Sequence, residues 1–307
     1  MIKISLEKYN GNAILFSLLL GLNSVQSSFG NPVSTQNIAV KSVEKSKEKI
    51  ILQDLEFKTV MMALYQKDIQ YVKIQQLDNN NVDYVGIKNA EHTAISEKND
   101  AVIVFSPAKI YRNAQNELRY LISTPEVSID KNNEVLNFCG VCATFTQIYL
   151  FKKNTVGKFE LISQSQDQTS WMNGDFDFSP YSTEKIIKNI RKIGPNVKGY
   201  VEEQAYSRQG YSNTQLYIVP FDEKPVMIKL DVAQIAHDNE VTGSDKIYNT
   251  HADYRFLSTE HHGLYDIKIH YWGTQQIYIG DTAKIISINE TRVYHYNEQQ
   301  QKYIRVK

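Results

Sequence analysis

The sequence predicts a mainly β protein, with antiparallel sandwich or barrel-like sheets and one or two short helices after a cleaved signal peptide. Three observations support this fold class: abundant tyrosine, many short strand-like runs, and one well-marked amphipathic helix. The chain has 20 Tyr but only 14 Gly and 7 Pro, and Tyr, Val, Ile, Thr and Phe favour pleated, half-buried surfaces. Short strands separated by brief turns are typical of antiparallel β folds.

The first thirty residues have the order of a secretory signal peptide. Lys3 and Lys8 give a basic start, residues 13–22 form an apolar core, and small and polar residues follow. This order is typical of secretory signals, and the core is shorter than the roughly 20 residues that span a bilayer. We expect cleavage after Ser27, or after Gly30, and a periplasmic or secreted product. The alternative is a buried N-terminal helix.

The charge and hydropathy of the chain limit the classes of molecule that we expect it to bind. Lys+Arg and Asp+Glu are both 34, so the formal net charge is zero. Nucleic-acid binding depends on a basic excess that neutralises phosphates, so we expect no nucleic-acid partner. A second long apolar run is missing, and we expect no stable membrane insertion. Phosphate-cradling glycine loops are also missing, which disfavours nucleotide chemistry. The Asp-rich runs at 130–134 and 175–177 lack the EF-hand pattern, and we expect neither a cofactor nor a metal.

Composition suggests an order of segments along the chain. A lone helix and Gln/Ser/Asp-rich sequence separate two strand-rich halves, which indicates a boundary. One continuous β domain over 50–307 is the alternative. The predicted segments are a signal peptide at 1–27, a flexible lead-in at 28–49, a β-rich domain at 50–163, a connecting segment with a helix at 164–198, and a β-rich domain at 199–307.

Strands dominate the first half after a helix predicted over 50–65. Residues 71–77 and 82–87 flank an Asp-Asn-Asn-Asn run that favours a hairpin loop. Further strands are predicted at 101–105 and at 118–123, the latter ended by Pro125. Residues 145–151 are apolar on both alternating faces, which indicates a strand in the middle of a sheet. We expect this strand to form a hairpin with 159–162 across residues 154–157.

One helix is well marked between the two halves. Ser182 is a suitable N-cap, and Ile186, Ile190 and Ile193 form an apolar stripe at helical spacing. Gly194 is the predicted C-cap, and a proline follows it.

The second half returns to strands, with a hairpin connection predicted over 220–225. The clearest alternation lies over 265–271. It places Tyr265, Ile267, Ile269 and Tyr271 on one face, and it places Asp266, Lys268 and His270 on the other. Such a strand is packed on one side and solvated on the other. Strands are predicted at 199–205, 215–219, 226–230, 254–258, 264–272, 275–279, 284–288, 292–296 and 303–306.

The two cysteines lie in the run Cys139-Gly-Val-Cys142. In an exported protein, such a pair is expected to be oxidised, and we interpret it as a structural disulfide. The alternatives are a redox-active pair, metal ligation or free thiols. A redox pair is disfavoured because strand-like sequence follows Cys142, whereas thioredoxin-like pairs lie next to a βαβ pattern.

Six of the seven histidines lie after residue 236, among several carboxylates. Asp253, His251, Asp266 and His270 are the candidate catalytic residues, because a general acid/base pair can be built from His and Asp in one cleft. Their spacing matches no known catalytic signature. The alternative is that they are exposed strand and loop residues.

These observations favour a binding protein over an enzyme. Export, abundant tyrosine and the lack of a catalytic signature suggest a partner in the cell envelope, either a protein or a surface polymer. An inhibitor or immunity protein that acts on an envelope enzyme is consistent with these observations. The alternative is a hydrolase of cell-wall or extracellular polymer that uses the His/Asp residues.

Overall fold

A computed structural model describes residues 49–65, 71–74, 84–89, 100–129, 132, 143–166, 170–172, 183–240, 246–280 and 282–306. It is 66% strand and 8% helix, with two antiparallel sheets, one of them a curled half-barrel. The predicted fold class is therefore confirmed. The described residues fall within one compact unit, Glu48–Lys307, and its division into one or two domains stays a prediction. The signal peptide and most of the lead-in lie outside the described residues.

The first sheet has 10 strands. They are β1 (Ile51–Leu52), β2 (Tyr71–Ile74), β3 (Tyr84–Asn89), β4 (Asp100–Val104), β5 (Ser106–Arg112), β6 (Leu118–Ile129), β7 (Ala143–Lys153), β8 (Phe159–Ser165), β9 (Ser170–Met172) and β13 (Val226–Met227). Their order is β1-β8-β7-β6-β4-β3-β2, with β5 also on β6, β9 on β7 and β13 on β8. The β13–β8 pair is parallel.

The second sheet has 8 strands and forms the half-barrel. They are β10 (Ile190–Lys192), β11 (Lys198–Arg208), β12 (Tyr211–Pro220), β14 (Leu230–Asp238), β15 (Asn249–His261), β16 (Leu264–Ile279), β17 (Thr282–Asn297) and β18 (Lys302–Arg305). Each strand pairs with the next in the order β10-β11-β12-β14-β15-β16-β17-β18. The sequence did not predict most of β14, and it divided β16 and β17 into two strands each.

Strand β7 lies inside the first sheet, between β6 and β8, as its apolar faces predicted. Phe151 shares a buried cluster with Val60 of the helix α1 (Phe57–Leu64). Leu150, on the opposite face, shares one with Tyr200 of β11. The predicted β7–β8 hairpin is confirmed, and the Asn154 side chain accepts bonds from two backbone amides of its turn.

The prediction that Pro125 ends a strand is wrong, because β6 continues to Ile129. Strand β6 changes partner on one edge at this point, since Ser123 pairs with β5 and Glu126 with β4. Proline lacks an amide donor and is tolerated where a ladder bond is missing. Pro125 lies at that change of partner.

Both predicted helices are shorter in the structure. Helix α1 does not begin at residue 50, because Ile51–Leu52 pairs with β8. The second helix, α2, spans Thr183–Lys188, and Ile190–Lys192 continues as strand β10. Ile193 is fully buried in the core of the second sheet. Pairing with β11 thus overrides the helical spacing of the isoleucines.

Residues 220–225 do not form the predicted hairpin connection. The chain leaves β12 in the second sheet and enters β13, which pairs with β8 in the first sheet. The Arg119 guanidinium of β6 holds this segment, because its Nε donates to the Glu223 carboxylate at 2.6 Å. Phe221 lies in the buried cluster shared by the two sheets.

Strands β16 and β17 form one long hairpin that spans the half-barrel. Near its base, Ile267, Ile269 and Tyr271 are buried and His270 is exposed, as the alternation predicted. The prediction is wrong for Asp266, which lies on the face expected to be solvated but is buried. Strand β15 pairs with β16 only as far as Gly273, and β18 pairs with β17 only over Tyr294–Asn297. Strand β18 also contacts β14 across the curled sheet. The half-barrel is therefore filled at this end and open at the other.

Candidate functional site

A concave pocket of about 690 Å³ lies at the open end of the half-barrel. Clefts of roughly 300–1,000 Å³ are typical of ligand sites. Its lining residues come from β12, β14, β15, β16, β17 and the segment before β15. They are Tyr211, Ala233, Gln234, His237, Asn239, Lys246, Tyr248, Thr250, Tyr271, Gln275, Gln276, Tyr278, Arg292 and Tyr294.

Hydrogen bonds fix one wall of the pocket. The Tyr248 hydroxyl lies 2.8 Å from His237 Nε2, and the two rings meet edge to face. The Tyr248 amide donates to the Asn239 side-chain oxygen at 2.8 Å. Asn239 in turn donates to the Lys246 carbonyl. This wall is therefore preorganised, which lowers the entropy cost of binding.

The opposite wall is built around two tyrosines and one arginine. The hydroxyls of Tyr271 and Tyr294 lie 3.1 Å apart in a buried position. The Arg292 guanidinium lies over the Tyr271 ring at 4.4 Å from its centroid. Its Nε donates to Glu290 Oε1 at 2.7 Å, so the positive charge already has a partner.

The rim of the pocket exposes aromatic and aliphatic surface. Tyr278 is 71% exposed, and Tyr211 is also exposed. Ile279 follows at the tip of the hairpin, and Ile247 lies between the lining residues Lys246 and Tyr248; both are exposed. Contiguous exposed apolar surface around a cleft commonly marks an interaction site.

The electrostatics of the pocket are set by neutral polar groups and cationic side chains. Its described lining contains amides, phenols and cationic side chains but no carboxylate. Burial lowers the pKa of His237 and raises the pKa of Tyr248. Both groups are therefore held in their neutral forms, which can exchange hydrogen bonds with a ligand.

Three predicted catalytic residues lie together on the convex face of the sheet, outside the pocket. Asp253 pairs with His270 across β15 and β16, and His251 pairs with Trp272. The Trp272 ring lies between the two imidazoles, with centroids 5.9 Å from each. All four side chains are exposed.

The fourth predicted residue, Asp266, has different partners. It is 5% exposed and lies four residues before His270, roughly 13 Å away along a strand. Its carboxylate accepts from Thr259 at 2.7 Å and lies 2.7 Å from His261 Nδ1. His261 also stacks on His295, with centroids 4.6 Å apart.

Sequence reasoning missed the partnership of His261 with Asp266. The two strands meet in a two-residue turn, His262-Gly263, with φ of +51° and +81°. Positive φ at both positions is typical of a type I′ hairpin turn, and glycine at the second position is its signal in a sequence. A register shift between Phe256 and Glu260 then realigns the strands next to this turn.

Cys139 and Cys142 lie outside the described residues, and the predicted disulfide stays a prediction. Within the described ranges, no group of three or more His, Cys, Asp or Glu side chains is placed to hold a metal ion.

No protein-family model, curated protein or solved structure matches this chain. None of the described helices is long and apolar enough to cross a membrane. Any function proposed for the candidate site is therefore argued from the geometry and chemistry of the site's own residues.

Proposed function

We propose that this chain is an exported binding protein that holds a partner protein of the cell envelope at the open end of its half-barrel. The observation that carries this proposal is the tyrosine-lined pocket with an exposed aromatic rim. Tyrosine provides a large, rigid contact area at low entropy cost and is enriched in protein interfaces.

The chemistry of the pocket supports binding. The described lining offers phenols, amides, a neutral histidine and two cations, and all of these can hydrogen-bond to the side chains and backbone of a partner protein. An inhibitor or immunity protein that neutralises an envelope enzyme is the form of this role that we propose.

Tyr211→Ala together with Tyr278→Ala tests the proposal. The double variant removes two exposed rings from the rim, and we expect it to lose the partner that the wild-type chain captures from an envelope extract. Trp272→Ala is the matched control, because Trp272 is an exposed ring on the convex face. Equal capture by all three proteins, or none by the wild type, would contradict the proposal.

Export is tested separately by the intact mass of the purified protein. We expect loss of residues 1–27, and thiols of Cys139 and Cys142 that react only after reduction. An intact N-terminus with free thiols would place the protein in a reducing compartment and exclude an envelope partner.

The Asp266–His261 pair favours a second candidate function, a hydrolase of cell-wall polymer. A buried carboxylate that holds Nδ1 of an exposed imidazole leaves Nε2 directed outward, as a general base requires. In this second candidate function, His261 rather than His270 is the partner of Asp266. Release of soluble fragments from purified cell wall by the wild type, but not by His261→Ala, is the expected result for a hydrolase.

A further inference from the structure

We infer that the partner protein contributes an extended segment, which adds to the uncovered edge of β17 in line with β18 and fills the pocket. This inference rests on the binding function proposed above. It assigns the way in which the partner binds and the chemistry of the segment.

The gap arises because β18 is much shorter than β17. Strand β17 pairs with β16 from Thr282 to Tyr294. On its other edge, β18 covers only Tyr294–Asn297, and Val306 adds one bond to the Val293 carbonyl at 2.8 Å. In the described part of the chain, no strand pairs with this edge before residue 292.

The backbone along this edge is set to receive a strand. The Val293 carbonyl points to the β18 side, and backbone direction alternates along a strand. The β16–β17 register shows no shift. The amides and carbonyls of Ile285, Ser287, Asn289 and Thr291 therefore face the gap. Such a row of edge groups is a template for strand addition.

Both ends of the gap have definite limits. At the base, β18 bridges β17 and contacts β14. At the tip, Lys246 Nζ donates to the Ala283 carbonyl at 3.4 Å. Residues 285–291 between them span roughly 20 Å of strand. The added segment is therefore about as long as an ordinary short strand, and longer segments must leave the sheet at Lys246.

The pocket lies where a continuation of β18 would run. Its lining includes Ala233, Gln234 and His237 of β14 and Arg292 of β17, the two strands that β18 bridges at the base. A segment on the edge would thus direct alternate side chains into the pocket. The Arg292 charge is already paired with Glu290, and the rest of the lining is rich in phenols and amides. We therefore expect an amide or hydroxyl side chain of the segment there, since these groups exchange hydrogen bonds with phenols and amides.

The experiment extends the full chain at its C-terminus by a designed strand, Val-Thr-Val-Gln-Val-Thr-Thr, which continues β18 into the gap. The Val306 amide faces β17 and backbone direction alternates along a strand, so the amides of the three added valines face β17 and the Gln side chain faces the pocket. A tethered segment is at high effective concentration, so weak affinity does not limit the result. We expect hydrogen exchange at the amides of Ile285, Ser287, Asn289 and Thr291 to slow by about tenfold or more. The control extension has the three valines replaced by proline.

Asn289→Pro and Asn289→Ala separate edge pairing from other effects. Proline at residue 289 removes an amide that faces the gap and leaves the β16 ladder intact. Asn289→Pro should abolish the added protection at the other three amides, whereas Asn289→Ala should retain it. The extended chain should also capture less partner than the proline control, because its own strand occupies the gap.

Each contrary result has a definite meaning. Missing protection in the extended chain overturns strand addition, while the rim variants still test the binding function independently. Protection with unchanged capture means that the partner binds elsewhere. Protection already present in the wild type at low concentration means that another segment of this chain fills the gap. Protection that appears only at high concentration means that a second copy fills it. Each of these last three results also overturns the inference.

Discussion

The two halves of the β16–β17 hairpin have the same strands but opposite surroundings. At the base, Ile267 and Ile269 are fully buried in the core of the second sheet. Beyond Gly273, Tyr278 and Ile279 are more exposed than buried. Hydrogen bonding between the strands continues through both halves without a shift.

The difference comes from the neighbouring strands rather than from the hairpin itself. Strands β15 and β18 flank the base, and neither pairs with the half beyond Gly273. Isoleucine and tyrosine favour strands in both halves, so local preference explains why the backbone is extended in both. Burial depends on what packs against the strand, and the exposed half is left to form the pocket rim.

The largest effect should come from truncating the base. Ile267→Ala removes a fully buried side chain, and we expect the free energy of unfolding to fall by about 2–5 kcal/mol. Ile279→Ala, at the exposed tip, should change it by less than about 0.5 kcal/mol. Urea unfolding of both variants measures the comparison. Similar losses would show that the exposed half is also packed.

Gly273, at the junction of the halves, should give the next largest effect. It has φ of +104°, and an added Cβ would lie 2.2 Å from the Asn249 carbonyl oxygen. We expect Gly273→Ala to cost about 2 kcal/mol or more, because strain and a backbone clash add. Gly280→Ala at the tip, where φ is +61° and the space is open, should cost about 1 kcal/mol. Equal costs in urea unfolding would contradict the close contact at Gly273.

Removing single hydroxyls should distinguish the halves more finely. Tyr271→Phe leaves the buried Tyr294 hydroxyl without its 3.1 Å partner, and we expect a loss of about 1 kcal/mol. Tyr278→Phe should have little effect on stability, because water replaces the lost contact. Thermal unfolding of the two variants at one pH measures the difference. A larger loss for Tyr278→Phe would reverse the assignment of buried and exposed halves.

The smallest effect on stability should come from a change of pH. The group responsible is His237, in the pocket wall that faces the exposed half. Burial holds the pKa of His237 below its usual value of 6.5, so the unfolded chain binds the proton more readily. The neutral ring of His237 makes its full contribution to the free energy of unfolding above pH 6.5. This contribution is lost as the pH drops through the lowered folded-state pKa.

His237→Gln isolates this contribution. We expect the wild type to lose a few tenths of a kcal/mol more than the variant between pH 7 and pH 5, because solvent screens this partly exposed ring. Urea unfolding at the two pH values measures the difference, and a greater loss in the variant would contradict the sign.

Local sequence patterns predicted the elements whose partners are close in the chain. The β7–β8 hairpin was found from two apolar runs and a turn. The face alternation of 265–271 was found in the same way, because alternate side chains point to opposite faces of any strand. These predictions need only neighbouring residues, and the structure confirms them except for the buried Asp266.

The wrong predictions share a different cause. The helical spacing of Ile186 and Ile190 gave way to the pairing of β10 with β11, and Pro125 stayed in a strand that changes partner there. Residues 220–225 connect two sheets instead of two paired strands. In each case a distant strand decided the outcome, and no local pattern contains that partner.

The candidate site shows the same division. Tyrosine abundance indicated a binding surface, but the pocket combines residues from 211 to 294 that only the curl of the sheet brings together. The alternation of side chains placed Asp266 on the same face as His270. In the structure, the turn at His262-Gly263 brings His261 next to Asp266, and the Asp266 carboxylate contacts His261.

The sequence by itself determined that this chain is mainly β, and it located local elements such as the β7–β8 hairpin and its turn. Those properties follow from the intrinsic preferences and the two-residue period of a strand. Only the tertiary structure decided which strands are flanked and which edge of β17 stays uncovered. Strand pairing is a contact between distant residues, and its outcome depends on the whole sheet rather than on any one segment.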